Sequence, residues 1–375
     1  MRVLFKSDKK VYNASKDIAN KGGTALDVLN NTPSVIVEID GSISMRGSNN
    51  ITVLIDGKPQ FGLDKGTDML RAIPANSIDK VELITQNAKY SARGGGILNI
   101  VTKKRKGSGL NGSIDAHLGV PNDNGLSAFL NENAEKINIF STISFNNKEE
   151  IIRTTIDQTY FDLIGNPKGI FEQIRKDENQ RNSFLFNIGS DFYIDKNKTL
   201  TTSFLLNTNN KNFNSNLDLN DFDAVRSLTR SAHRNVKDID EISTMELFLN
   251  YTSKFLKEGH QLSFDFKFDS TVSENAADIL ENATSPVFEN IIQKVAKNQN
   301  LDNFLFQLDY ALPLSETKKI ELGYKGVFKS YKNNFNVSQF DESLLYFVTV
   351  GGFKDVINYD ENVNAMYGLY TATKG

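Results

Sequence analysis

From residue 109 onward, apolar and polar residues alternate with a period of two, as strands with one greasy face do. In 261–269, Leu262, Phe264, Phe266 and Phe268 share one side, and Gln261, Ser263, Asp265, Lys267 and Asp269 the other. In 303–312, Phe304, Phe306, Leu308, Tyr310 and Leu312 oppose Asn303, Gln307 and Asp309. In 184–194, Phe184, Phe186, Ile188, Phe192 and Ile194 oppose Asn187, Gly189 and Asp191. The pattern recurs near 136–146, 198–208, 243–252 and 319–330 and predicts about ten strands. Tight links at 131–135, 195–198, 256–259 and 313–316 alternate with long polar links at 148–180, 209–241, 271–301 and 332–361. Short turns at one end and long loops at the other describe an up-and-down transmembrane β-barrel. The strands also suit the roughly 9–11 residues that a tilted strand needs to cross a bilayer. A soluble Greek-key protein shows the same alternation on a half-solvated sheet, so the loop asymmetry carries the distinction.

Residues 1–105 follow a different rule, and the organisation expected is a small α+β unit at 1–105 followed by barrel from 106 to 375. Ala25, Leu26, Val28 and Leu29 form an apolar helical face behind the candidate N-cap Thr24, and Pro33 stops the helix. A hairpin is expected around Asp40-Gly41. A buried strand over Ile51–Ile55 turns at Asp56-Gly57, and a further strand covers Val81–Ile84. Gly94, Gly95 and Gly96 precede an apolar strand, Ile97–Val101, and the base block Lys103–Lys106 follows.

Composition narrows the function. The chain has 375 residues, a net charge of −3 and no cysteine, so thiol chemistry is excluded and a nucleic-acid surface is not indicated. It has 26 Phe and 12 Tyr but no Trp, an aromatic load carried by strand-favouring rings. No run approaches the roughly 20 apolar residues of a membrane helix. The opening residues are too short for a signal-peptide core, so a leader is expected outside this chain.

Two stretches then carry a resemblance. The segment 45–60 has Arg46-Gly47, a strand to Ile55, and the turn Asp56-Gly57-Lys58-Pro59. The segment 73–104 has Val81-Glu82, Tyr90, the glycines 94–96, and Asn99-Ile100-Val101-Thr102-Lys103. In this order they resemble the plug signatures of TonB-dependent outer-membrane receptors, of the type found in Bacteroidetes. Ser91 stands where the family has a glycine after the tyrosine. The resemblance implies a plug inside a transmembrane barrel of the Gram-negative outer membrane, a ligand-gated importer rather than an enzyme. Arg46, Gly47, Asp56, Gly57, Pro59, Glu82, Tyr90, Gly94, Gly95, Gly96 and Asn99 become the structural and gating residues of the plug.

The implied partners are outer-membrane lipid, the TonB energy-coupling complex acting on a segment absent from this chain, a surface lipoprotein, and a scarce ligand of siderophore, oligosaccharide or peptide type. The alternative function is a non-transporting surface binding or adhesion protein, and a third is a soluble envelope β-protein. The glycines are read as a place of close backbone approach, and the bases as lying near anionic headgroups. A phosphate loop is not indicated, because no Lys-Ser/Thr follows the glycines. No cofactor or metal is expected. His117, His233 and His260 lack ligand spacing, and Asp218, Asn220, Asp221 and Asp223 do not fit an EF-hand. Because a barrel wide enough for a plug takes about 22 strands, the chain is expected to be part of a longer protein.

Overall fold

The structure, a computed structural model, describes residues 3–5, 9–20, 23–38, 43–45, 51–59, 70, 73–84, 96–103, 109–285, 290–315 and 317–372. The N-terminal part runs β1 (Val3–Phe5), β2 (Lys9–Tyr12), α1 (Ala25–Asn30), β3 (Val35–Val37), β4 (Ile43–Met45), β5 (Ile51–Ile55), β6 (Lys58–Pro59), β7 (Ile78–Ile84) and β8 (Gly96–Thr102). Six of these strands make one sheet in the order β1-β2-β7-β8-β5-β6, and β3 and β4 form a separate antiparallel pair. That pair is the hairpin expected around Asp40-Gly41, whose turn lies outside the described residues. Strand β8 is antiparallel to β7 and parallel to β5. Flanked on both sides, it is apolar almost throughout, and Ile97, Leu98 and Ile100 are buried.

Helix α1 forms where the pattern places it. Its Ala25, Leu26, Val28 and Leu29 are buried. The Asp27 carboxylate accepts the Thr24 backbone N–H at 2.7 Å and the Thr24 hydroxyl at 2.8 Å, fastening the first turn. Pro33 bars continuation, because it disfavours helical backbone in the residue before it.

The second sheet contains β9 (Gly109–His117), β10 (Asp123–Asn133), β11 (Ile137–Phe161), β12 (Pro167–Asp195), β13 (Lys198–Asp223), β14 (Leu228–Lys254), β15 (Gln261–Ser285), β16 (Ile291–Pro313), β17 (Lys318–Asp341) and β18 (Tyr346–Ala372). The ten strands lie in sequence order, open at β9 and β18, and each neighbour is antiparallel. This is an up-and-down wall with the strand number that the alternation predicts.

One expectation is corrected. The stretches 148–180, 209–241, 271–301 and 332–361 are not loops but continuing ladder. Ile151 pairs with Glu178, Asn212 with Ile239, Asn275 with Lys297 and Asn334 with Val356. The links themselves shrink to 162–166, 224–227, 286–290 and 342–345. The misreading has a physical cause. A ladder is made by backbone groups, so a strand that is polar on both faces pairs as well as an amphipathic one while its side chains lose the period-two hydropathy signal. The asymmetry of the two ends survives: long polar arms at one end, and the short links 134–136, 196–197, 255–260 and 314–317 at the other.

Three arm tips share one device. Asp162 accepts the backbone N–H groups of Ile164 (3.0 Å) and Asn166 (2.8 Å). Asp223 accepts those of Val225 (3.0 Å) and Ser227 (2.8 Å), and Asp341 those of Ser343 (2.9 Å) and Leu344 (3.1 Å). These are Asx turns, which favour Asp at the first position. The Asn166 N–H, with help from Ile164, holds the Asp162 carboxyl below the usual carboxylate range.

Burial along the wall is inverted relative to a water-soluble sheet. Lys267, Asp269, Thr271, Asn303 and Gln307 are buried, while Phe304, Phe306 and Leu308 on the other face are exposed. The exposed face forms a continuous apolar belt. It includes Phe145, Ile188, Phe192, Met245, Leu247 and Leu322, and ends above in Asn, Ser and Asp. Ring pairs cross the strands within it, including Phe145–Phe184, Phe266–Phe306 and Phe268–Phe304 at centroid distances of 4.8, 5.1 and 4.7 Å. A belt of this kind faces hydrocarbon, and the polar side faces a lumen.

Candidate functional site

The plug signatures meet at one seam. The β5–β6 hairpin turns through Asp56 (φ 51°) and Gly57 (φ 78°), as a two-residue type I′ turn requires. The Asp56 N–H donates to the Ile100 carbonyl at 2.8 Å. Its carboxylate accepts the Thr102 N–H at 2.9 Å and the Thr102 hydroxyl at 2.6 Å. The Gly57 N–H donates to Asn99 Oδ1 at 2.8 Å, and Asn99 Nδ2 donates to Glu82 Oε2 at 3.2 Å. The Lys80 ammonium sits 2.9 Å from Glu82 Oε1. Glu82 and Asn99 are both buried. The register puts Leu54, Asn99 and Glu82 side by side across β5, β8 and β7.

A polar chain in a buried position is favourable only when its members are paired, and this one is. It locks the turn to the middle strand and the middle strand to its other neighbour. Asp56, Gly57, Glu82 and Asn99 are thus brought together, and Pro59 lies beside them in β6, opposite Leu54. Thr102 and Lys80 belong to the seam but are absent from the sequence-derived site. Thr102 was legible as part of the motif ending in Lys103. The signal for Lys80 is its i, i+2 spacing to Glu82, which puts both on one side of β7.

Gly96 is a point of close approach: an added Cβ would land on the terminal methyl of the buried Met45. Arg46, Gly47, Tyr90, Gly94 and Gly95 lie outside the described residues, as do Lys104 to Lys106.

The plug core reaches the wall. The cluster around Tyr12, Leu29, Val81 and Leu98 includes Leu185 of β12 and Leu205 of β13. Near that contact stand the lumenal amides Asn187, Asn207 and Asn209, whose side-chain oxygens have no hydrogen-bond partner among the described residues; Asn209 Nδ2 has none there either. Gly189 is closely covered by the neighbouring strands. It lies on the polar face, but an added Cβ would meet the Phe140 ring and stand 2.8 Å from the Thr202 carbonyl, so no water lies over it.

Charges on the lumenal face are paired, as burial demands. Lys267 meets Glu246 at 2.7 Å, and Asn303 donates to Asp269 at 2.7 Å. Arg175 meets Asp177 at 2.9 Å, and Arg230 meets Glu281 at 2.6 Å, with Arg234 on the same carboxylate. The acidic stretch 218–223 is strand, not a cation loop: Asp218 faces His233 at 2.8 Å and Asp221 faces Arg230 at 3.5 Å. Among the described residues no group of three or more His, Asp or Glu is placed to hold a metal.

Comparison with known proteins agrees with this geometry. Residues 8–97 match the family model of the TonB-dependent receptor plug domain. Residues 253–375 match that of the outer membrane protein beta-barrel family. No curated protein matches the sequence. Among solved structures, the ferric-catecholate import receptor Fiu of E. coli K12 in its closed form aligns with a TM-score of 0.51 at 11% identity, over 97% of this chain and 63% of its own. The ferric yersiniabactin uptake receptor FyuA of Yersinia pestis aligns with a TM-score of 0.48 at 12% identity, over 98% of this chain and 61% of its own. The chain therefore spans about six-tenths of the length of these receptors.

Proposed function

We propose, from the premise that the chain belongs to the TonB-dependent receptors of the Gram-negative outer membrane, that residues 1–105 act as the plug and residues 106–375 as part of the barrel wall of a ligand-gated importer. Family and fold match transport receptors rather than enzymes. The observation that carries the reading is the plug core closing over Leu185 and Leu205, because a sheet packed on the lumenal face of a membrane wall occludes the lumen. The solute is a scarce ligand of siderophore, oligosaccharide or peptide type, held by the polar arms. Movement of the plug requires work from the inner-membrane energy-coupling complex. In this account Asp56, Gly57, Glu82, Asn99 and Gly96 keep the plug one rigid body while it moves, and Arg46, Gly47, Pro59, Tyr90, Gly94 and Gly95 complete the same unit.

The test uses cells producing the full-length protein with and without a working energy-coupling complex. Growth on ferric siderophores, oligosaccharides or peptides as limiting nutrient should depend on both. Growth that needs the protein but not the complex refutes the importer. Ligand binding at the cell surface with no uptake assigns the protein to surface binding instead.

A further inference from the structure

On the lumenal side of the arms, one register row collects bases. Lys148 of β11 pairs with Arg181 of β12, Arg181 with Lys211 of β13, and Lys211 with Asp240 of β14. Asp240 pairs with Asn275 of β15, and Asn275 with Lys297 of β16. Each stands two residues along its strand from Asn146, Ser183, Asn209, Ile242, Ser273 or Gln299, so both rows share one face. Burial of Ser183, Asn209 and Ser273 marks that face as lumenal. Like charges directly opposite one another destabilise a sheet, yet Lys148, Arg181 and Lys211 occupy adjacent strands. Glu150 holds Lys148 at 3.2 Å, and Asp238 takes the Asn275 amide at 2.7 Å. Lys211 and Lys297 both act on the Asp240 charge, and neither makes an ion pair among the described residues. The four bases are partly exposed.

The row lies where a solute arriving through the arms meets the plug. Arg181 is four residues from Leu185, and Lys211 six from Leu205, the wall residues in the plug core. At about 3.3 Å per residue that is roughly 13–20 Å along the strands. Next to the bases on the plug side the wall is neutral: Asn146, Ser183, Asn209, Ser273 and Gln299 carry amides and hydroxyls. Asn209 is 3% exposed, and neither end of its amide has a partner among the described residues. Asn333, paired with Gln299, is 8% exposed, and its side-chain oxygen is likewise without a partner there. From Lys148 to Lys297 the row crosses the spacings between β11 and β16, about 24 Å at about 4.8 Å each. Phe335 of β17 adds a ring beside Lys297.

We infer that this row and the amides beside it recognise an acidic oligosaccharide, a chain of linked sugars bearing carboxylate or sulfate groups. The inference rests on the import reading and names its solute. Bases separated by an acid and an amide suit a ligand whose charges are spaced along its length, whereas a compact ferric complex reaches only part of the row. Lys211 takes one anionic group and Lys297 another. Asp240, Asn275 and the neutral row take sugar hydroxyls, which both donate and accept. A peptide backbone offers one N–H and one C=O per residue. A sugar ring offers several hydroxyls, and amides such as Asn209 and Asn333 use both kinds of partner.

The test is calorimetric binding to the full-length protein in detergent, which needs no energy coupling and so separates this inference from import. The probes are oligogalacturonate, oligoalginate and sulfated chondroitin fragments, each beside its methyl-esterified or desulfated form, with oligoglutamate and a ferric siderophore as competitors. At least one acidic oligosaccharide should bind about tenfold or more tighter than its neutralised form, and its affinity should fall as salt rises. The double variant Lys211→Gln, Lys297→Gln should lose about tenfold or more of that affinity, and Lys211→Arg, Lys297→Arg should keep most of it. Should the glutamine variant fail to fold, the ratio of acidic to neutralised ligand on the unaltered protein decides. No binding of any acidic oligosaccharide, equal binding of the neutralised form, or tighter binding of oligoglutamate or the siderophore overturns the inference. Binding in detergent without uptake by cells that have a working energy-coupling complex supports this site and refutes the importer. Energy-dependent growth on another solute, with no acidic oligosaccharide bound, upholds the importer and overturns this site.

Discussion

Replacing Asn99 with Asp tests whether the buried seam holds the plug together. The change is nearly isosteric, so it alters charge and not packing. Asn99 Nδ2 donates to Glu82 Oε2 at 3.2 Å; an ionised carboxyl in its place removes a donor to a charged acceptor, worth about 1.5–3 kcal/mol. It also sets two anions about 3.2 Å apart, a repulsion of about 5 kcal/mol at an effective dielectric of 20. Lys80, 2.9 Å from Glu82 Oε1, offsets part of this. Protonation sets the ceiling. A protonated carboxyl restores the donor, and neutralising one with an ordinary pKa near 4 costs about 4 kcal/mol at pH 7 but about 1.4 at pH 5. The expected loss is therefore about 3–4 kcal/mol at pH 7 and little more than 1 at pH 5. The sign is fixed by linkage: the folded variant holds a proton that the unfolded chain gives up near pH 4, so its deficit is absent below pH 4 and grows as pH rises.

Amide hydrogen exchange of β8 in the full-length protein reads this directly. At tenfold per 1.4 kcal/mol, the Gly96–Thr102 amides should exchange on the order of a hundredfold faster than wild type at pH 7, and about tenfold faster at pH 5. Taking the ratio to wild type at each pH removes the intrinsic pH dependence of exchange. Asn99→Ala should show a loss that does not change between the two pH values. A ratio for Asn99→Asp that is the same at pH 5 and pH 7 would refute the seam, as would unchanged protection at both.

Three further outcomes follow from the wall. Gly189→Ala should destabilise by about 1–3 kcal/mol through overpacking against Phe140 and the Thr202 carbonyl; unchanged unfolding in urea would mean that the ring swings aside freely. Phe266→Arg, on the belt, should cost about 2–4 kcal/mol for folding into vesicles, and a neutral result would remove that face from lipid. Trypsin added to intact cells should cut after Arg226 at an arm tip and spare Lys196 at a short link, whereas equal cutting at both contradicts the orientation.

The sequence made several features readable for identifiable reasons. Helix α1 carries its face, its fastening at Thr24 and its stop at Pro33 within ten residues, so local rules suffice. The strands of the belt were legible because hydrocarbon imposes a strict period of two. The arms were not, because their inward residues are polar too: Asp177, Ser215, Ser273 and Glu281 are buried, and bonds such as Ser215 to Asp177 and Arg234 to Glu281 cross the strands, so hydropathy shows no period there. The seam was half legible. Asp56-Gly57 announces its turn chemically, but nothing local says that Asn99, 42 residues away, accepts the Gly57 N–H. The cover over Gly189 was invisible for the same reason, since Phe140 belongs to another strand.

A period of two also leaves its own sign undetermined, because it separates two faces without saying which is inside. In a sandwich the phenylalanines would meet a second apolar layer; here Phe304 and Phe306 are 40% and 37% exposed while Lys267 and Asp269 are 1% exposed. Burying ions at that level is tolerable only if each finds a partner as it leaves water. Lys267 has Glu246 directly across the pleat from its neighbour Asp269, and Asp269 has Asn303 on the next strand. The partners come from strands β14 and β16 on either side, so the polar face is satisfied only when all three strands are in register. A one-residue slip would turn Lys267 toward lipid and Phe266 or Phe268 toward the lumen. The paired charges therefore specify the register of the wall, and the inverted burial follows from the same residues that enforce it.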